Sequence, residues 1–262
     1  MTSNLHTAIH AAIAGGKAIM NVYATDFQVE NKEDDSPLTK ADENANAVIN
    51  TFLLQTEIPI ISEENKQIEY EDRKDWTECW IVDPLDGTKE FVKRNGEFTV
   101  NIALVQNGAP FLGVIYVPVS KTLYFTDDQG ARSFKYVVAQ DDYSLEDILK
   151  NASEISPAEE SEPVMVVGSR SHLNDDTKQF ISEIEKEKKV EIVSKGSSLK
   201  FCLVAEGNAH VYPRFAPTME WDTAAGHAIC NAAGVQVIDQ NTQQPLRYNK
   251  ENLLNPYFLV TR

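Results

Sequence analysis

Asp83-Pro84-Leu85-Asp86-Gly87-Thr88 is the stretch whose residue types and spacing point most directly to chemistry. Two carboxylates three residues apart, across a turn that leaves a strand, can converge on one cation. The Leu85 carbonyl between them offers a third oxygen. Gly87 and Thr88 then open a short helix whose free N–H groups face an anion. Carboxylates beside a helix start make a place for a divalent metal and a phosphate together, and hard oxygen ligands favour Mg²⁺ over zinc or copper. The ordinary alternative is a solvated turn, since Asp, Pro and Gly all form turns well.

Two further acidic spots bear on that choice. Glu63-Glu64 closes a short apolar strand, and Asp222 follows Trp221 ahead of the small-residue run Ala224-Ala225-Gly226. Taken singly, the Glu pair is a solvated surface and Asp222 a helix N-cap. Yet every one of these acids falls at a strand end or a helix start, where side chains of different elements can meet. Convergence of Glu63, Asp83, Asp86 and Asp222 would cost roughly 4 kcal/mol for each close like-charged pair at an effective dielectric of about 20, a cost that bound cations offset. Phosphatases with an aspartyl-phosphate intermediate carry the shorter D-x-D-G-T near the chain start. The extra residue here misplaces the second Asp, so that reading is rejected.

The elements that must position these acids alternate along the chain. Asn4 to Tyr23 has apolar residues at helical spacing, and a second helical pattern carries Ala45, Val48, Ile49, Phe52 and Leu53 on one face, with Thr39 as its N-cap and Asp42 in its first turn. Strands are expected at Pro59–Ile61, Trp80–Val82, Phe98–Val105, Phe111–Val117, Leu123–Phe125 and Phe134–Val138, with Asn107-Gly108 as a hairpin turn. The polar segment from Gln140 to Pro163 marks a boundary between an α+β half, residues 1–145, and an α/β half, residues 160–262. There, strands at 164–167, 190–193, 209–212 and 235–238 alternate with helices at 174–188, 199–205 and 222–233. Trp76, Trp80 and Trp221 read as core.

The 262 residues include 24 basic and 40 acidic side chains, a net charge of −16. Such a surface excludes a protein that coats nucleic acid, but not a small phosphorylated ligand held by local cations such as Lys89, Lys93 and Arg94. Cys79, Cys202 and Cys230 are too few and too irregularly spaced for a disulfide frame or a zinc site, so buried thiols in a reducing compartment are expected. No stretch is long and apolar enough to span a bilayer. The expected location is cytoplasmic, with peripheral association at the inner membrane face left open.

From S-P-L-T-K-A-D (Ser36 to Asp42) to L-N-P-Y-F (Leu254 to Phe258), the chain resembles the magnesium-dependent, lithium-sensitive superfamily of inositol monophosphatases and fructose-1,6-bisphosphatases. D-P-L-D-G-T and W-D carry that likeness. T-K-E-F, R-N-G-E-F-T-V-N and G-S-S-L-K-F-C are more particular to its CysQ-type 3'(2'),5'-bisphosphate nucleotidase branch. The resemblance implies an αβαβα layered sandwich with the site between the two halves. It implies that Glu63, Asp83 and the Leu85 carbonyl hold one Mg²⁺, that Asp83, Asp86 and Asp222 hold a second, and that Glu64 is an outer acid near a weaker third. Asp42 and Thr88 would orient and deprotonate the attacking water, with the Gly87 and Thr88 amides cradling the phosphate.

The implied reaction is removal of the 3'-phosphate from 3'-phosphoadenosine 5'-phosphate, or from 3'-phosphoadenosine 5'-phosphosulfate, in the clearance of sulfate-assimilation by-products. Inositol or sugar phosphate hydrolysis is the alternative, and a non-catalytic sensor a third possibility. Substrate contacts fall on Ser169, Arg170 and His172, on Gly196, Ser198 and Lys200, and on Tyr212 and Arg214, where a guanidinium suits bidentate phosphate recognition. Each has an ordinary reading as surface charge, cap or strand aromatic. The partner is a small nucleotide, and the protein a monomer or homodimer.

Overall fold

Leu5, Ala8, Ile9, Ala12, Ile13 and Ile19 are all buried on α1 (Asn4–Tyr23) in the computed structural model, which describes residues 3–25, 37–139, 143–168 and 173–262. The Ser3 hydroxyl caps this helix by accepting from the His6 N–H. Against it packs α2 (Pro37–Leu53). This helix begins at Pro37, whose fixed φ suits a first helical position. Thr39 therefore lies within its first turn and is not its N-cap, and Asp42 falls in the second turn, beyond the end of the helix dipole that the sequence suggested.

The chain continues through β1 (Ile60–Ser62), α3 (Tyr70–Arg73), β2 (Glu78–Asp86), α4 (Thr88–Val92), β3 (Thr99–Gln106), β4 (Ala109–Val117), β5 (Thr122–Thr126), β6 (Ser133–Val137), α5 (Leu145–Asn151) and β7 (Ser153–Glu154). The seven strands form one sheet in chain order, with β1 and β2 parallel and the other pairs antiparallel. Asn107 and Gly108, both at positive φ, make the expected tight turn between β3 and β4. The second part holds β8 (Val164–Gly168), α6 (Asp175–Glu185), β9 (Val190–Ser194), α7 (Leu199–Ala205), β10 (Val211–Arg214), α8 (Ala224–Ala232), β11 (Gln236–Asp239) and β12 (Phe258–Thr261). Its five strands form a second sheet in the order β11-β12-β10-β8-β9.

Strand alternation divides the core between layers. Trp80, Val82, Val100, Ile102, Leu104 and Val114 face α1 and α2. Their neighbours Cys79, Ile81, Ala103, Val105 and Ile115 face α7 and α8, which also pack on the second sheet. Val164, Val166 and Val211 on the far side of that sheet meet Ile181 of α6. The result is the αβαβα sandwich. The three cysteines are buried free thiols. Trp80 is sealed in the core, its indole donating to the Thr56 hydroxyl, and Trp221 is also buried. Among the described residues, no helix is long and apolar enough to cross a membrane.

Candidate active site

Asp83 and Asp86 sit at the end of β2, not in a turn beyond it, and β2 is longer than the Trp80–Val82 core suggested. In a regular strand, residues three apart point to opposite faces. Here the pairing with β3 shifts between Asp83 and Asp86, opposite Asn101 and Thr99, and this irregularity lets both carboxylates turn the same way. The Asp83 carboxylate accepts from the Leu85 N–H at 3.0 Å, which fixes the bulge from within. Asp222 arrives from the other part of the chain. It lies outside α8, whose N-cap position is Thr223, so it is not the cap of that helix; its Oδ2 accepts from the Met219 N–H at 2.7 Å. Carboxylate oxygens of Asp83, Asp86 and Asp222 all lie within 4.8 Å of one another.

Glu63 and Glu64 follow β1 beside this cluster, where the charges of Asp222, Glu64 and Asp86 act on Glu63. Two asparagines hold their turn to α2. The Asn46 and Asn50 amides donate to Asn65 Oδ1, and the Ser62 hydroxyl donates to Asn46 Oδ1. The same helix carries Asp42, buried, with Glu64 and Glu63 nearby. Loss of water and the neighbouring carboxylates push these acids up: Asp42 to about 8, Glu63 to about 7 and Asp222 to about 7, with Asp83 well above its ordinary value. Glu64 is raised by burial and by Glu43. Burial also raises Asp86, but Lys200, Asn101, the Ser198 amide and Arg214 oppose it.

The other wall of the cleft carries Lys195, Lys200 and Arg214. Gly87, at φ 98°, turns the chain from β2 into α4, and a Cβ there would crowd Phe98 and Ser197. Thr88 is exposed as the first residue of α4. A side chain at Gly196 would collide with Glu90 and the Glu97 carbonyl, so backbone alone lines this edge. Glu97 accepts from the Gly196 N–H at 2.9 Å and from Lys195. Lys200 donates to the Ser197 carbonyl at 2.6 Å and lies over the Tyr212 ring, while Arg214 donates to the Pro217 carbonyl and keeps a buried Nε with no hydrogen-bond partner among the described residues. Desolvation lowers Lys200 and pushes Tyr212 up to about 12. Asp86, Gly87, Gly196, Ser198, Lys200, Arg214 and Asp222 line one cleft of about 420 Å³. Ser169, Arg170 and His172 lie outside the described residues.

Sequence reasoning passed over Asn101, Thr99, Asn46, Asn65 and Glu220, all of which bond to functional segments. The signal for the first two was present: polar residues on a strand otherwise apolar, within the R-N-G-E-F-T-V-N run.

The sequence profile of the inositol monophosphatase family matches residues 1–257. The chain belongs to the inositol monophosphatase family. Within that family it is 45% identical, over 94% of both chains, to the 3'(2'),5'-bisphosphate nucleotidase CysQ of Salmonella typhimurium, and 34% identical to that of Haemophilus influenzae over 98% of this chain and 91% of the other. The crystal structure of CysQ from Bacteroides thetaiotaomicron superposes with a TM-score of 0.92 at 49% identity, covering 100% of this chain and 97% of that one. An inositol monophosphatase from Zymomonas mobilis shares the fold, with a TM-score of 0.74 at 20% identity over 98% and 92% of the two chains. The family is metal-dependent, and the acid cluster fits that dependence. Three carboxylates drawn together, Asp83 among them sealed from solvent, are the hard-oxygen donor set a divalent cation takes.

Proposed function

We propose that this family member is a Mg²⁺-dependent 3'(2'),5'-bisphosphate nucleotidase that converts 3'-phosphoadenosine 5'-phosphate to AMP and phosphate, with 3'-phosphoadenosine 5'-phosphosulfate as a second substrate. The observation that carries the reading is the shared cleft. Asp86 and Asp222, two of the acids that would hold metal, open onto the same space as Lys200 and Arg214, and that space is of a size for one nucleotide. Lys89, Lys93 and Lys195 add positive charge at its rim, in a chain whose net charge is −16. The likeness to CysQ nucleotidases over nearly the whole chain points the same way.

In this proposal Asp83, Asp86 and Asp222 would hold Mg²⁺ with Glu63 and the Leu85 carbonyl, and Glu64 would stand by as an outer acid. Bound there, two or three such ions would activate water and offset charge on the phosphoryl oxygens. Asp42, held up to about 8, suits a group that takes and returns a proton near neutrality, with Thr88 orienting the water. The Gly87, Thr88 and Ser198 segments would cradle the scissile phosphate. Lys200 and Arg214 would take the second phosphate, assisted by Ser169, Gly196 and His172. The reaction would run in the cytoplasm.

The test is phosphate release from 3'-phosphoadenosine 5'-phosphate, inositol 1-phosphate and fructose 1,6-bisphosphate, each with Mg²⁺, with chelator and with Li⁺. A chelator-sensitive preference for the nucleotide supports the proposal. A preference for inositol or sugar phosphate keeps the metal site and replaces the substrate. Release from none of them leaves a binder.

A further inference from the structure

Thr99 and Asn101 are two residues apart on β3, on the face that continues inward as Ala103 and Val105. Polar side chains on such a face are costly unless paired, and both are sealed from solvent. Their partner comes from the far side of the cleft. The Ser198 hydroxyl donates to Asn101 Oδ1 at 2.7 Å and lies 2.8 Å from Thr99 Oγ1. Its single proton is spent on Asn101, so Thr99 is the donor in the second contact. The Asn101 amide then donates to Asp86 Oδ2 at 3.3 Å, and the Ser198 N–H reaches the same oxygen at 2.6 Å. Thr99, Ser198, Asn101 and Asp86 thus form one polarised chain that ends on a carboxylate of the acid cluster.

We infer that Asn101 is a positioning residue that couples the 196–200 segment to the metal site through Asp86. The inference deepens the proposed function and rests on its metal reading of the acid cluster. Asp86 is gripped by the same segment that supplies Gly196, Ser198 and Lys200 to the other wall of the cleft. A phosphate that orders this segment sets the direction of the Asp86 carboxylate, and a cation on Asp86 holds the segment in place. By reciprocity, each ligand raises the affinity for the other by the same factor. Asn101 makes this coupling firm because its amide joins the loop hydroxyl and the carboxylate at once. Ser197, at φ 46° with a buried hydroxyl that has no partner among the described residues, places the loop in a conformation that the neighbouring bonds must hold.

The experiment titrates Mn²⁺ into the full-length protein, reads free ion by electron paramagnetic resonance, and repeats the titration with inorganic phosphate. The parent should bind Mn²⁺ more tightly with phosphate present. Asn101→Ala should weaken Mn²⁺ binding by about tenfold and reduce the phosphate-dependent gain to less than about twofold. Thr99→Val is nearly isosteric and touches the carboxylate only through Ser198. It should show the same loss of coupling at smaller size, and it carries the test should Asn101→Ala fail to fold by circular dichroism. Undiminished phosphate coupling in a folded variant overturns the inference. A parent that binds no Mn²⁺ removes the metal reading and the inference together. A parent that binds Mn²⁺ but does not prefer the nucleotide loses only the substrate assignment.

Discussion

Arg73 and Asn249 hold each other in both directions: the guanidinium donates to Asn249 Oδ1 at 2.8 Å, and the Asn249 amide donates to the Arg73 carbonyl at 2.8 Å. Arg73, on α3 of the first part of the chain, also bonds the Lys250 and Glu251 carbonyls. The segment so fixed presents its Asn249 and Lys250 N–H groups, and the Lys250 ammonium, to Glu220. Glu220 is fully buried and stands two residues from Asp222. A distant helix thus braces the loop that delivers an acid to the cleft.

Lys250→Met should therefore destabilise the protein. Removing one partner of a buried pair costs about 3–5 kcal/mol, and partial exposure of Lys250 and the two N–H groups that Glu220 retains bring the expected loss to roughly 2 kcal/mol. Urea denaturation would show it as a lower midpoint at an unchanged slope. An unshifted midpoint would mean that the backbone bonds alone hold Glu220.

Asp83→Asn should abolish turnover while leaving the fold intact. In metal-free protein the same change should raise the melting temperature, because it removes charge from a site where burial and Asp86, Glu63 and Asp222 all oppose ionisation. Turnover within about tenfold of the parent would remove Asp83 from the assigned ligands.

The metal-free protein should lose stability as pH rises from 5 to 9. Asp42, Glu63 and Asp222 are pushed up to about 8, 7 and 7 in the folded chain, against ordinary carboxylate values near 4 when unfolded. Between those values the folded state holds more protons than the unfolded one, so stability is fully present below the unfolded values and falls as pH passes the folded ones. Saturating Mg²⁺ should flatten the profile, since the cation takes the place of the protons. Thermal melts across pH with and without chelator measure both effects. Metal-free stability that rises over this range would contradict the crowded-acid description.

Lys200→Ala should raise KM for the nucleotide far more than it slows hydrolysis of a small phosphate ester, because Lys200 opens onto the cleft beyond the acid cluster. Equal losses on both substrates would make Lys200 part of the common machinery, acting through the charge it sets against Asp86.

Of the four acids whose places at element ends suggested convergence, Asp83, Asp86 and Asp222 do meet, while Glu63 stands outside that group of three. The hairpin at Asn107-Gly108 and the extent of α1 were legible for local reasons. Less so was what a strand does when its pairing shifts. D-P-L-D reads as a turn by composition, yet β3 pairs with it and makes it a bulged strand end. Thr39 was a plausible cap until Pro37 took the first helical position. Glu220 carries no local mark, since its meaning lies in partners far along the chain. β12 was missed as a strand because it follows a long irregular stretch without alternation of its own.

The bond from the Ser198 amide to Asp86 joins a late segment of the chain to an early one. During synthesis, Glu63, Asp83 and Asp86 leave the ribosome well before Ser198 and Asp222, and until those arrive the early acids have neither their third carboxylate nor the amide that aims one of them. The nascent chain therefore lacks the complete donor set until Asp222 has emerged. Recovery of metal binding on refolding should be among the last signals to return, after the secondary structure of the first sheet.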